Sequence, residues 1–350
     1  MKHSTLTVVF LLCACFAHAT TFTLNNNNPS PGQYTTFDAA QTAASSGDTI
    51  LVHASPNSYD VITFTKSLTL IGPGHRPAVN GGISANFSNI FVLNNLINVR
   101  ISGINLAGLF GPGGGTLTNN DNLTIQNCHF FARVEIGPNS SNMLFKNCIF
   151  DNSSYVNFNG NASRDVLFTN NYFKTTYSNP INGGGDSGSK IFSNNLFFGA
   201  GPQTVSAGNI NNFIFENNIF YGVGATNASQ TNCVYNNNLT YQASNNTLPP
   251  SGQSGSNNLV NVDPKFVDAP SPGNIDFEYN RNYRLQTGSP GLGAGTFGTN
   301  LGIYESDNEF SMTGEPARPQ TTTVTVNPAV IPSGGSTQVN FTIRKSTPNQ

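Results

Sequence analysis

From residue 100 to residue 240 the chain repeats one short alternation of apolar and polar positions. "NLTIQNCHF" ends at Phe130, "NMLFKNCIF" at Phe150, "DVLFTNNYF" at Phe173, "KIFSNNLF" at Phe197 and "NFIFENNIF" at Phe220. Aligned on the last Phe, the spacings are 20, 23, 24 and 23 residues. Weaker copies flank them, "VRISGINL" ending at Leu106 and "CVYNNNLT" ending at Thr240. Self-similarity at such a period marks stacked supersecondary units. Each unit reads as a strand, a two-residue corner and a second strand. The period is too short for paired helices, and the leucine-rich-repeat signature is missing. The prediction is an all-β chain, a right-handed parallel β-helix.

The corner accounts for the asparagines. Asn127, Asn147, Asn170, Asn194, Asn217 and Asn237 share one aligned position, and Asn accepts the left-handed conformation that an abrupt bend demands. At a rung spacing of about 4.8 Å their amides are expected to form a hydrogen-bonded ladder. Phe130, Phe150, Phe173, Phe197 and Phe220 are expected to stack inside the coil. A second pattern resists simple alternation. Leu144, Leu167, Ile191 and Ile214 sit beside Phe145, Phe168, Phe192 and Phe215. Strict alternation cannot bury both rows, so one is expected to be exposed or covered by another segment. Cys128 and Cys148 align in neighbouring coils, where parallel side-chain directions favour two stacked free thiols over a disulfide.

Composition sharpens this picture. Only 9% of the chain is Asp, Glu, Lys or Arg, against an ordinary value of about 25%. Asparagine occupies 52 of the 350 positions, glycine 35, and the net charge is −2. A nucleic-acid or anionic-membrane partner has no electrostatic support in such a chain. Residues 1–19 read as a signal peptide cleaved after Ala19: Lys2 and His3, an apolar run, then Ala17-His18-Ala19. The apolar run is too short to span a bilayer, and no other segment is expected to cross one. Leu12-Cys13-Ala14-Cys15 also resembles a bacterial lipobox with a poor middle position, which would put a lipid on Cys15. The expected location is secreted or cell-surface. The mature chain keeps Cys128, Cys148 and Cys233, an odd number that makes no disulfide framework.

After a flexible lead at 20–33, the solenoid with its caps is expected over 34–305. "FDAAQTAA" reads as a capping helix with Thr35 and Asp38 spaced as a capping box. "GDTILVHA" and "KSLTLIGPG" read as the first strands. These motifs resemble the opening of the pectate-lyase-like right-handed β-helix proteins. "DPKFVD" at 263–268, "NYRLQTGSPGLGAG" at 282–295 and "LGIYE" at 301–305 resemble their closing coil. The resemblance implies the fold and leaves activity open, since the family includes lyases, hydrolases, esterases, adhesins and phage tail proteins. A polar linker at 306–320 precedes 321–350, which alternates like two strands and resembles part of an immunoglobulin-like module.

Enzymes with this fold work along one sheet, on outward side chains. In "ARVEIG", Arg133 and Glu135 share a face if Val134 and Ile136 point inward; they are the candidate catalytic pair. Tyr155, Asn157, Asn159 and Thr204, with Ser206, are candidate substrate contacts. The same pattern also suits a plain salt bridge on a polar sheet. Signatures implied by the family for a polygalacturonase, a pectate lyase or a pectin methylesterase are missing; only "GPGHR" around His75 echoes one. "GGGDSGS" at 183–189 resembles one turn of a Ca²⁺-binding repeat, but it stands alone, so no metal or cofactor is expected. His129 reads as a surface residue. Three functions follow as expectations: noncatalytic binding of an extracellular polysaccharide or cell-surface glycan, a polysaccharide lyase or glycoside hydrolase, or a structural spike.

Overall fold

In a computed structural model, the structure describes residues 19–151, 154–159, 163–175, 180–183, 188–200, 210–225, 230–273, 276–305, 309–316, 319–327 and 338–345. The repeat winds into a right-handed parallel β-helix. Its first sheet has ten parallel strands, from Thr21–Leu24 through Thr124–Gln126, Ser141–Lys146, Arg164–Thr169 and Lys190–Ser193 to Val234–Asn236. A further twelve strands form two faces joined by the long strand Asn105–Phe110. Its start pairs with His129–Phe130, its end with Val134–Ile136. We term the face continuing through Ile149–Phe150, Tyr172–Thr175, Leu196–Gly199, Ile219–Tyr221 and Leu239–Tyr241 the second sheet. The third holds Val61–Phe64, Asn86–Val92, Val134–Ile136, Val156–Phe158 and Ile181–Gly183. The 20–33 lead is not free: Thr21–Leu24 is the first strand of the first sheet, in register with Thr49–Val52.

Alternation puts two Phe columns inside. Phe130, Phe150, Phe173, Phe197 and Phe220 stack with ring centroids 4.8, 4.5, 5.0 and 5.0 Å apart. Phe145, Phe168, Phe192, Phe215 and Tyr235 stack at 4.5, 4.7, 5.4 and 4.8 Å. Each fully buried ring contributes roughly 1.5–3 kcal/mol through lost water contact, and near-parallel stacking adds about 0.5–1.5 kcal/mol per pair. Their neighbours Leu144, Leu167, Ile191 and Ile214 point out of the first sheet and are half-buried.

All six corner asparagines have φ between 53° and 58°, the left-handed region. Gly103, at φ 70°, takes the same position in an earlier coil, where Pro316 leaves no room for a Cβ. The amide ladder runs one residue later than expected. Asn171 Nδ2 donates to Asn195 Oδ1, Asn195 Nδ2 to Asn218 Oδ1 and Asn218 Nδ2 to Asn238 Oδ1, each at 3.0 Å, and Asn238 Nδ2 to Asn258 Oδ1 at 3.2 Å. A one-residue step at a bend turns the side chain to the other side, so the left-handed residue faces outward and its successor faces in. Cys128 and Cys148 fill the ladder position in the first two of these coils and are buried free thiols, as is Cys233.

The helix Phe37–Ala43 covers the N-terminal end. Its cap is Thr36, whose hydroxyl accepts from the Ala39 N–H at 3.3 Å, one residue later than the expected Thr35. The C-terminal stretch corrects a larger expectation. Only one partial coil closes the solenoid, with bridges Val234↔Ser254 and Leu239↔Leu259. Residues 276–305 and 309–316 instead run as a strap back along the outside of the second sheet. There Phe277, Tyr283, Leu301, Ile303 and Phe310 bury Ile149, Tyr172, Leu196, Ile219 and Leu239 in a second apolar cluster. The corner asparagines hold it down. Asn170 Nδ2 donates to Ile303 O (3.1 Å), Asn194 Nδ2 to Asn300 O (3.0 Å) and Asn237 Nδ2 to Ala294 O (2.9 Å), while Asn217 Oδ1 accepts from the Thr296 N–H (2.9 Å). Residues 309–316, expected in the linker, complete the strap, with Phe310 and Ser311 buried. Pro319–Asn327 and Gln338–Lys345 then form an antiparallel pair.

Candidate functional site

The third sheet gathers most of the residues singled out by the sequence. Val134 and Ile136 point into the core, which turns Arg133 and Glu135 outward. In the next coil Glu135 pairs in register with Asn157. Arg133 Nε lies 2.7 Å from Glu135 Oε1. Glu135 Oε2 accepts from Asn157 Nδ2 at 2.9 Å and from Asn159 Nδ2 at 2.5 Å. Both carboxylate oxygens are thus engaged, and Glu135 is buried although it sits on the outer face of a sheet. The Arg133 side chain is half exposed, and its guanidinium carbon lies 5.4 Å from the centre of the Phe110 ring. Phe110, Ala132, Arg133 and Tyr155 line an open depression of about 310 Å³. One coil earlier Phe91 is 5.9 Å from Phe110, centre to centre.

Five expected site residues therefore meet: Arg133, Glu135, Tyr155, Asn157 and Asn159. Thr204 and Ser206 lie outside the described residues, as do residues 1–18 of the expected signal segment and most of the 183–189 glycine run. Phe110 and Phe91 were missed, because nothing in the phrase around "LAGLF" shows that its strand bends across two sheets. Among the described residues no three His, Cys, Asp or Glu side chains converge as a metal site. Among them, too, no helix is long and apolar enough to cross a membrane.

A second polar cluster was not foreseen. His129 is not a surface residue: the strap buries it, and its Nδ1 lies 3.1 Å from the Tyr279 hydroxyl. His75 Nδ1 lies 3.0 Å from the same hydroxyl. His129 Nε2 is 3.5 Å from Asp151 Oδ2, an oxygen that also accepts from the Phe277 N–H at 3.1 Å. Lys174 bridges from Asp151, 4.0 Å away, to a close ion pair with Asp276. The hydroxyl has one hydrogen and also reaches the His75 carbonyl oxygen, 3.3 Å away, so it can donate to only one of these three acceptors. Burial holds the His75 pKa well below the ordinary histidine value, with repulsion from His129 adding to it. Desolvation likewise raises the Tyr279 phenol. These groups come from a loop before residue 76, two strands of the second sheet and the strap, so only the folded chain assembles them.

With the coil described, its type follows from the parallel sheets, the stacked interior columns and the asparagine corner. The fold is a right-handed parallel β-helix. No protein-family model and no curated protein sequence matches the chain. Among solved structures it is similar to pectate lyase Pel9A at 14% identity and TM-score 0.49, over 83% of this chain and 97% of that one. It is similar to a rhamnogalacturonan lyase at 11% identity and TM-score 0.45, over 77% and 97%. It is similar to the pectin methylesterase of Aspergillus niger at 16% identity and TM-score 0.38, over 68% and 85%. The likeness is one of coil shape, and no residue role crosses it to this β-helix.

Proposed function

We propose that this β-helix binds an extracellular polysaccharide or cell-surface glycan, without cleaving it, on the outer face of the third sheet around Arg133, Tyr155, Asn157 and Asn159. The observation that carries the reading is the full engagement of Glu135. General acid–base cleavage needs a titratable group free to exchange a proton with substrate. Glu135 instead spends both oxygens on Arg133, Asn157 and Asn159. What the face offers is an aromatic wall from Phe110 and Tyr155, amides, and one guanidinium whose charge is matched within the pair. Apolar rings beside fixed hydrogen-bonding groups suit a sugar ring, with its apolar and hydroxylated sides. With the Arg133 charge matched by Glu135, the site favours neutral sugars over polyuronates.

The test is affinity electrophoresis of residues 20–350 through gels containing neutral or acidic polysaccharides, with mass spectrometry of the incubated glycans. The expected result is retardation by a neutral polysaccharide with no new chain ends. Tyr155→Ala or Asn159→Ala should weaken retention about tenfold, the equivalent of one lost contact worth about 1.4 kcal/mol. New oligosaccharides would overturn the noncatalytic reading. Retention that ignores both substitutions would move the site off this face.

A further inference from the structure

We propose that two copies of this chain associate face to face through the outside of the first sheet, with their solenoid axes antiparallel. The outward column of that sheet changes character along the coil. It begins with Thr49, Thr69, Arg100 and Thr124, then continues as Leu144, Leu167, Ile191, Ile214 and Val234. These five side chains are half-buried, and neither buried apolar cluster contains them. The same molecule shows what becomes of an outward apolar column. On the second sheet, Ile149, Tyr172, Leu196, Ile219 and Leu239 occupy the equivalent outer position, and the strap covers them. Five consecutive aliphatic positions on a surface otherwise rich in Asn, Ser and Thr are not needed for solubility or for the core.

The neighbouring outward column chooses the occupant. In the same rungs it reads Gln126, Lys146, Thr169, Ser193, Glu216 and Asn236. Two sheets meeting face to face can be related by a two-fold axis along the solenoid or along the strands. With the axis along the strands, this column meets its own reverse. Lys146 of one copy then stands opposite Glu216 of the other, twice per dimer, and Thr169 stands opposite Ser193. The aliphatic column is reversed at the same time, placing Leu144 against Ile214 and Leu167 against Ile191. Such an isologous contact closes on itself as a dimer. Packed sheets lie about 10 Å apart, a gap that a lysine and a glutamate reaching toward each other can close. With the axis along the solenoid, Lys146 and Glu216 would face the other flank, at Asn142 and Asn212, and the complementarity would be lost. The patch spans five rungs of about 4.8 Å and strands of about four residues, a few hundred Å² per copy. That is smaller than the roughly 800 Å² per partner of a standard interface. The association is therefore reversible and dependent on concentration.

Sedimentation velocity of residues 20–350 between roughly 1 and 300 µM tests this, and a monomer–dimer equilibrium is expected within that range. Lys146→Glu alone, or Glu216→Lys alone, should weaken the dimer at least about tenfold by setting like charges face to face. The double reversal Lys146→Glu with Glu216→Lys should restore it to within about threefold of the original. Leu167→Asp should abolish it. All three positions are on the outer surface, so unchanged circular dichroism and melting temperature will show that each variant is folded. A monomer at every loading overturns the proposal. A dimer indifferent to both single reversals, or a double variant no better than the singles, overturns it as well, because the contact would then lie on another face or in another register.

Discussion

Removing one rung of the asparagine ladder is expected to cost far more than the size of the side chain suggests. Asn195 is fully buried, and its amide makes four hydrogen bonds. Nδ2 donates to Phe168 O and to Asn218 Oδ1, and Oδ1 accepts from the Asn171 N–H and from Asn171 Nδ2, all at 3.0 Å. Asn195→Ala deletes all four and takes away the acceptor of the buried Asn171 N–H. At a net value of about 1 kcal/mol for each of the four bonds, with a stranded buried group costing about 1–3 kcal/mol more, the loss comes to about 5–7 kcal/mol. Asn258, at the half-buried end of the ladder, lets water replace its bonds, and Asn258→Ala should cost only about 1 kcal/mol. Asn195→Asp is the sharper variant. A carboxylate still accepts from Asn171 but faces Phe168 O and Asn218 Oδ1 with a charge and no hydrogen. Burial and those acceptors raise its folded-state pKa above the ordinary value near 4, so the folded state binds the extra proton and stability recovers as pH falls toward 4. Urea unfolding followed by far-UV circular dichroism is the assay, because the chain has no tryptophan. A loss below about 1 kcal/mol for Asn195→Ala, or an Asn195→Asp variant no worse than Asn195→Ala at pH 7, would refute the ladder as a main support of the coil.

Other expectations concern the strap and the thiols. Because burial depresses the folded-state pKa of His75, the unfolded chain binds more protons below about pH 6.5, and this contribution to stability is lost as pH falls through that window. His75→Asn should flatten the acid side of the stability–pH curve whatever it does to the absolute value. Asn217 combines a φ of 58° with a hydrogen bond from Thr296 of the strap. Asn217→Gly should remove the peg and a 3.4 Å bond to Asn194 Oδ1, whereas Asn217→Ala should add about 1 kcal/mol of backbone cost, visible as faster limited proteolysis of the strap. Burial pushes the Cys148 thiol well above the usual range. Cys148 should therefore stay unmodified by a thiol reagent at pH 8 until denaturant opens the coil, and prompt labelling of the native protein would contradict its placement.

Much of this was legible in the order of residues. A repeat near 23 residues, with Asn at a bend and Phe at a fixed offset, admits few solutions besides a stacked parallel coil. That is because the two-residue side-chain period of a strand and the rung spacing are local properties. The same locality made Arg133, Glu135, Asn157 and Asn159 recognisable as outward-facing, and of these Glu135 and Asn157 pair in register in adjacent coils. Offsets of a single residue escaped it. The ladder sits at Asn171 and Asn195 instead of Asn170 and Asn194, and the helix cap is Thr36, because a bend decides which of two like residues turns inward. Long-range docking escaped it altogether. "NYRLQTGSPGLGAG" reads as one more coil, yet its chain returns along the second sheet, where an outward apolar column had already been built and needed cover. His75, His129 and Tyr279, more than 200 positions apart at their extremes, carry no shared pattern in the sequence. The periodic solenoid was thus determined by the sequence read locally. The strap, the buried histidine pair and the engagement of Glu135 were decided by tertiary structure, because each depends on which surface a distant segment covers and which polar groups that cover removes from water.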